Sequence, residues 1–122
     1  METLHFVVQE HHARKLHYDF RLEIKGILKS WAIPKGPPLE PEIKRLAIQV
    51  DDHELSFLTY EGIIPEGEYG AGTITIWDSG TYTIEERSDS KIVFILDGKR
   101  LKGRYSLLKF KKEKEWLIFK NI

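Results

Sequence analysis

The residues best suited to chemistry stand together near the start of the chain, in Gln9-Glu10-His11-His12-Ala13-Arg14-Lys15-Leu16-His17-Tyr18-Asp19-Phe20-Arg21-Leu22-Glu23. From Leu16 onward apolar and polar residues alternate: Leu16, Tyr18, Phe20, Leu22 and Ile24 share one face, and His17, Asp19, Arg21, Glu23 and Lys25 the other. That period predicts a strand with one apolar face. Side chains two apart project the same way, roughly 7 Å apart along a strand, so His17, Asp19 and Arg21 form a row of imidazole, carboxylate and guanidinium. His11, His17 and Asp19 are three ligand-capable groups within nine residues. Two imidazoles and a carboxylate suit Mn, Fe, Zn or Ni and leave positions for water or substrate. The plainer alternative is a face that is polar because it meets water, as outer faces of antiparallel sheets do. His5 and His12 read as surface residues.

His17-x-Asp19 followed by a distant histidine is also the sequence form of the facial triad of non-haem iron oxygenases, with His53 as the distal ligand. Against oxygen chemistry, no arginine follows soon after His53 to bind an oxoacid, the next being Arg87. The cations gather instead in the first half, as Arg14, Lys15, Arg21, Lys35, Lys44 and Arg45, with Tyr18, Phe20, Trp31, Phe57 and Tyr60 between them. A metal with Arg and Lys near a histidine is what phosphoryl chemistry needs, because charge builds on the non-bridging and leaving oxygens. Taken singly, each Lys or Arg is more often a solvated surface group. No serine or cysteine stands out as a nucleophile, which favours direct attack by water. Gly67, Gly70 and Gly72 are not followed by Lys-Ser/Thr and so form no Walker loop; turns and bulges account for them, with Glu66 and Glu68 solvated.

The elements that must position these residues are short strands. Further strands are expected over His5 to Gln9, Ile27 to Ile33, Arg45 to Val50, Leu55 to Tyr60, Thr73 to Trp77, Thr81 to Glu86, Lys91 to Leu96, Gly103 to Phe110 and Trp116 to Lys120. Glu10 to Lys15 reads as a charged connection, and Pro34 to Pro41 is too proline-rich for helix or central strand. Turns are expected at Asp78-Ser79-Gly80, Ser88-Asp89-Ser90, Asp97-Gly98 and Lys111 to Glu115. No helical period persists beyond two turns. About eight to ten short, mostly antiparallel strands imply an all-β barrel or sandwich.

At 122 residues the chain suits one domain, residues 1–122, with one core. Lys plus Arg and Asp plus Glu balance at 19 each, so any contact with a polyanion must come from a local patch. The absence of cysteine excludes disulfides and thiolate metal sites. The N-terminus has neither a basic n-region nor an apolar h-region, and no apolar run approaches a membrane span. These features predict a soluble cytoplasmic protein.

Several ordered blocks are specific enough to carry a resemblance. They are Phe6-Val7-Val8-Gln9-Glu10-His11, Leu16 to Glu23, Leu28-Lys29-Ser30-Trp31-Ala32-Ile33-Pro34-Lys35-Gly36-Pro37, Lys44-Arg45-Leu46-Ala47, Asp52-His53 and Glu61 to Thr73. Together they closely resemble the 3'-phosphoesterase module of bacterial DNA ligase D, densely from Phe6 to Trp77 and more loosely beyond. The resemblance implies a compact β-barrel and a manganese-dependent enzyme, Co²⁺ or Zn²⁺ being other candidates, that tidies 3' ends in DNA break repair by non-homologous end joining. It implies removal of a 3'-terminal ribonucleoside from a primer-template to leave a 3'-phosphate, then hydrolysis of that phosphate to a 3'-OH. Carried over by motif, His11, His17 and Asp19 are metal ligands, Arg21 and His53 contact the scissile phosphate, and Lys35 and Arg45 support substrate binding. The family module is usually fused to ligase and polymerase domains, so this chain is expected to act as a stand-alone monomer on DNA or RNA-tipped ends alongside separate end-joining proteins. Two positions depart from the pattern: Phe57 stands where a tyrosine is common, which removes one hydroxyl from the phosphate site, and His12 stands where the family often has Asp. The other reading the same patch allows is a non-catalytic DNA-end or repair-partner binding module, which would not need all three ligands.

Overall fold

Where residues alternate inward and outward the chain extends, and where glycine, proline or aspartate interrupts them it turns. A computed structural model describes residues 3–110 and 113–122. Its strands are β1 (Leu4–His12), β2 (Leu16–Ile24), β3 (Ile27–Ile33), β4 (Lys44–His53), β5 (Gly62–Ile64), β6 (Gly72–Arg87), β7 (Lys91–Asp97), β8 (Lys102–Lys109) and β9 (Glu115–Lys120), with a 3-10 helix at Leu55–Thr59. All pairings are antiparallel, in the order β1-β2-β3-β4-β9-β8-β7-β6-β5, and β6 also pairs with β1. Eight strands therefore close into a barrel, with β5 added on β6; the all-β barrel expectation holds. Closure removes the unpaired edges that an open sheet would expose. Among the described residues no helix is long and apolar enough to cross a membrane.

β6 closes the barrel, and here the structure corrects the sequence reading. Two strands were expected with a turn at Asp78-Ser79-Gly80, but 16 residues run through as one strand. Asp78 does not form a local turn. Its carboxylate accepts the backbone N–H groups of Lys99, Arg100 and Leu101 at 2.9, 3.1 and 2.8 Å, fixing the β7–β8 connection. Gly80 is present because a Cβ there would run into the Asp97 carbonyl oxygen on β7. Register shifts at Val8/Gln9 and Ile84/Glu86 are bulges that bend the strand around the wall.

Two more boundaries differ. β1 continues to His12, so His11 lies on a strand and not in the connection. The strand expected over Leu55 to Tyr60 is the 3-10 helix: no strand pairs with it, and Phe57 N–H and Tyr60 N–H bond back to Glu54 and Phe57 carbonyls at 3.0 and 3.2 Å. The turn expected at Lys111 to Glu115 lies partly outside the described residues, with Glu113 and Lys114 in a turn; Met1 and Glu2 also lie outside them.

The interior is filled from every wall, by Phe6 and Val8, Phe20 and Leu22, Trp31, Ile33, Tyr82, Phe94, Tyr105, Trp116 and Ile118. Phe20 sits 5.9 Å from Phe94 and 6.5 Å from Trp31 between ring centroids, close enough for tilted aromatic packing. The two buried tyrosine hydroxyls donate to backbone carbonyls, Tyr82 to Glu23 and Tyr105 to Pro38, the latter pinning the proline loop. Burial pushes the Tyr105 hydroxyl up to about 12.

Candidate active site

β2 is buried on both faces. Phe20, Leu22 and Ile24 enter the core, while Asp19 and Arg21, on the outer face, are only 6% and 3% exposed. The outer face is therefore polar because its groups are paired beneath a cover, not because water solvates them. The cover comes from the chain after β4: the 3-10 helix lies against β1 and β3, and the turn before β6 reaches back to His11.

Antiparallel pairing of β1 with β2 puts His11 opposite His17, Gln9 opposite Asp19 and Val7 opposite Arg21. Two strands thus bring side chains from separate sequence blocks onto one patch of wall. His11 Nδ1 lies 3.3 Å from one Asp19 oxygen and His17 Nε2 lies 3.4 Å from the other. One donor atom from each of the three falls within 4.8 Å of the others.

The ring orientations are fixed from behind. His11 Nε2–H donates to the Gly70 carbonyl at 2.8 Å and His17 Nδ1–H to the Lys15 carbonyl at 3.1 Å, since a carbonyl can only accept. Gly70 holds a φ of 78°, the left-handed region in which glycine is at ease, and so aims its carbonyl at the ring. The nitrogens left facing Asp19 carry lone pairs in the neutral rings. Two such nitrogens beside a carboxylate repel one another unless a cation stands among them, either a proton or a metal ion. The donor set, with outer partners that set each tautomer, fits a divalent metal.

The charges report the same strain. Burial pushes the Asp19 carboxyl up, but the hydrogen bond from His17 and the Arg21 guanidinium outweigh it and hold it below its ordinary value. The hydrogen bond to Asp19 raises the His17 imidazole, against the opposing effect of burial. His53 is lowered, first by burial and then by Arg21.

Arg21 is held on three sides. Its Nε–H donates to Gln9 Oε1 at 2.7 Å, its Nη1–H to Ser30 Oγ at 2.8 Å, and Nη2 stands 3.6 Å from Asp19. Its guanidinium also lies 5.0 Å from the centroid of Phe57. Gln9 in turn donates to the carbonyls of Phe57 and Tyr60 at 2.9 and 3.1 Å, tying the cover to the wall. The rings of His53 and Phe57 are 4.6 Å apart. A cavity of about 300 Å³ opens here, lined by His11, Asp19, Arg21, Asp51 and His53 and by the less polar Val50, Phe57, Ile64, Tyr69, Gly70 and Ile74.

The family model described as the DNA Ligase D 3'-phosphoesterase domain matches residues 9–109, a span that contains this whole arrangement. The chain belongs to that family. Relatives include the multifunctional non-homologous end joining protein LigD of Pseudomonas aeruginosa, 47% identical over 125 residues that cover 96% of this chain and 15% of the relative. The multifunctional non-homologous end joining DNA repair protein LigD of Mycobacterium tuberculosis is 52% identical over 108 residues, covering 85% of this chain and 14% of the relative. The LigD of Mycolicibacterium smegmatis is 46% identical over 123 residues, 92% of this chain and 16% of the relative. The chain thus spans only a small part of the length of these relatives.

Within this family member, the residues singled out by sequence fall into two groups. His11, His17, Asp19, Arg21 and His53 converge on one site. His11 stands beside His17 and Asp19, whereas His53 packs on Phe57 and lies outside that three-residue cluster, so the sequence form with His53 as the distal ligand is not assembled among the described residues. Lys35 and Arg45 do not line the cavity. Arg45 donates to the carbonyls of Lys35 and Gly36 and so braces the proline loop, on which Lys35 is exposed. His5 and His12 are exposed and pair with Glu23 and Glu10. Gln9, Ser30 and Asp51 escaped the sequence reading. Gln9 was findable, because it lies two residues before His11 on the same strand alternation; Ser30 needed the β2–β3 register.

Proposed function

We propose that this chain acts as a metal-dependent phosphoesterase that processes 3' ends of DNA during break repair by non-homologous end joining. The observation that carries the reading is the buried His11–Asp19–His17 cluster with Arg21 fixed beside it, in a chain of the 3'-phosphoesterase domain family. His11, His17 and Asp19 hold the metal, for which Mn²⁺ is the first candidate and Co²⁺ or Zn²⁺ also suit the donors. A divalent ion bound there supplies a Lewis acid for a non-bridging phosphate oxygen.

The protein's own groups bind and orient the phosphate. Arg21 meets charge on the equatorial oxygens, and because Gln9 and Ser30 already hold it, little reorganisation accompanies the reaction. His53 has a lowered pKa in the free protein, and the negative charge of a phosphate ester beside it raises that value again. The proton it then takes up is available to the leaving oxygen. In the first step water adds to phosphorus and the bond to the 5' oxygen of the terminal nucleoside breaks, leaving a 3'-phosphate. In the second step water again adds to phosphorus, the bond to the 3' oxygen breaks, and phosphate departs to leave a 3'-OH. Phe57 offers the second step no hydroxyl, so Arg21 and His53 carry the phosphomonoester. Lys35, exposed on the loop braced by Arg45, meets the DNA backbone.

The test is a metal-stripped preparation incubated with a 5'-labelled primer-template ending in one ribonucleotide, with and without Mn²⁺, beside His17→Ala. Shortening to a 3'-phosphate and then a 3'-OH, only with metal and only in the unmutated protein, is the expected result. Arrest at the 3'-phosphate would restrict the activity to the first step. No cleavage by folded protein with any divalent metal would favour the binding-module reading instead.

A further inference from the structure

We infer that the Tyr69 ring is the platform on which the base of the 3'-terminal nucleotide stacks, an assignment that rests on the 3'-end reading above. Tyr69 is 93% exposed on the turn between β5 and β6, and Ile63 on the adjoining β5 is 75% exposed. A large apolar group left open beside a site is informative in a way that a scattered surface leucine is not.

The ring is exposed on a backbone that is not free. Glu68 N–H bonds to the Pro65 carbonyl at 3.3 Å and Ala71 N–H to the Glu68 carbonyl at 3.1 Å, closing the turn on both sides of Tyr69. The next residue, Gly70, gives its carbonyl to His11. Tyr69 is therefore tied, one residue away, to a metal-site histidine, and it lines the same cavity as Asp19, Arg21 and His53. Ile64 and Ile74 supply further apolar wall.

A ligand matching this cavity is anionic at one part and flat and apolar at another. The terminal nucleotide of a nucleic acid has that chemistry, with its base adjoining the phosphate to be cut. Stacking on an aromatic ring tolerates any base, because every base has a π-face, and a tyrosine on a short turn loses little freedom in providing it. The phenolic hydroxyl has no part in the contact.

The experiment compares Tyr69→Ala and Tyr69→Phe with the unmutated protein on two Mn²⁺-supported substrates, a primer-template ending in a ribonucleotide and one ending in an abasic ribose. Binding of a strand tipped with 2-aminopurine to metal-free protein, read by fluorescence quenching, is measured in parallel. Tyr69→Ala is expected to raise KM about tenfold on the base-bearing end, with kcat little changed, and to abolish the quenching. Tyr69→Phe keeps both, the abasic end is indifferent to either change, and Mn²⁺ affinity is the same throughout. An unchanged KM and unchanged quenching in Tyr69→Ala overturn the inference while leaving the phosphoesterase reading intact. An equal rise in KM on the abasic end also overturns it, since the ring would then act on backbone or on the turn. Quenching without cleavage in the unmutated protein sinks the phosphoesterase reading but supports the stacking.

Discussion

A proton and a divalent metal ion compete for the same lone pair on His17 Nε2. The carboxylate of Asp19 draws either one in, so in the metal-free protein His17 keeps its proton above its ordinary value of 6.5. The sign follows: metal affinity should climb as pH rises through that raised value and level off once the ring is neutral. Calorimetric titration of Mn²⁺ between about pH 6 and pH 8 checks it, with release of about one proton on the acid side; an affinity independent of pH would remove His17 from the ligand set. Stability of the metal-free protein runs the other way. The contribution of His17 is complete below 6.5 and fades as pH rises through the folded value, while that of Asp19 is present above 3.8 and is lost as pH falls through its lowered one. Arg21 tests the other half of the site. Arg21→Lys retains a positive charge but loses the fork that reaches Gln9 and Ser30 together. Steady-state kinetics should show kcat falling about a hundredfold, with Mn²⁺ affinity little altered.

The elements that place these residues were unequally legible. β2 was read in full, because strict alternation over Leu16 to Ile24 assigns every side chain to a face whatever lies around it. What alternation cannot say is whether a polar face is wet. Arg21 is buried with Phe57 of the 3-10 helix against its guanidinium, and where the sequence predicts a strand there, Leu55, Phe57 and Tyr60 satisfy an apolar pattern in either state. The partnership of Gln9 with the Phe57 and Tyr60 carbonyls is a tertiary fact with no trace in local sequence. It has a measurable consequence. Gln9→Leu removes both donors from the cover and the acceptor from Arg21, leaving buried polar groups unmatched, and should cost about 2–4 kcal/mol of stability. In hydrogen exchange the amides of Phe57 and Tyr60 should lose protection while those of the β7–β8 hairpin keep theirs. Equal loss in both places would mean that Gln9 supports the barrel as a whole.

Over the whole molecule, the run of short strands separated by turns predicts a closed or sandwiched β protein, but not where it closes. Closure is written in contacts between residues far apart in sequence, above all along β6, whose middle Asp78-Ser79-Gly80 carries the composition of a turn. Those residues are explained only by the neighbours they meet. Asp78 is 4% exposed and is the shared acceptor for three N–H groups of the β7–β8 connection, so Asp78→Ala strands donors in a partly dry setting. Gly80 leaves the space that the Asp97 carbonyl fills, and backbone cannot swing aside as a side-chain tip can, so Gly80→Ala forces the β6–β7 seam apart. Overpacking against such a contact costs about 1–3 kcal/mol, and loss of a buried multiple acceptor costs a similar amount or more. Each variant should therefore lower the urea midpoint with the slope unchanged if the barrel still melts as one unit. The two sites meet at one seam, since Gly80 pairs beside Thr81 and Asp97 while Asp78 holds the turn that follows β7. The double variant should accordingly lose less than the two single losses added together. Strict additivity would show that the turn held by Asp78 and the strand contact at Gly80 stabilise the closure independently.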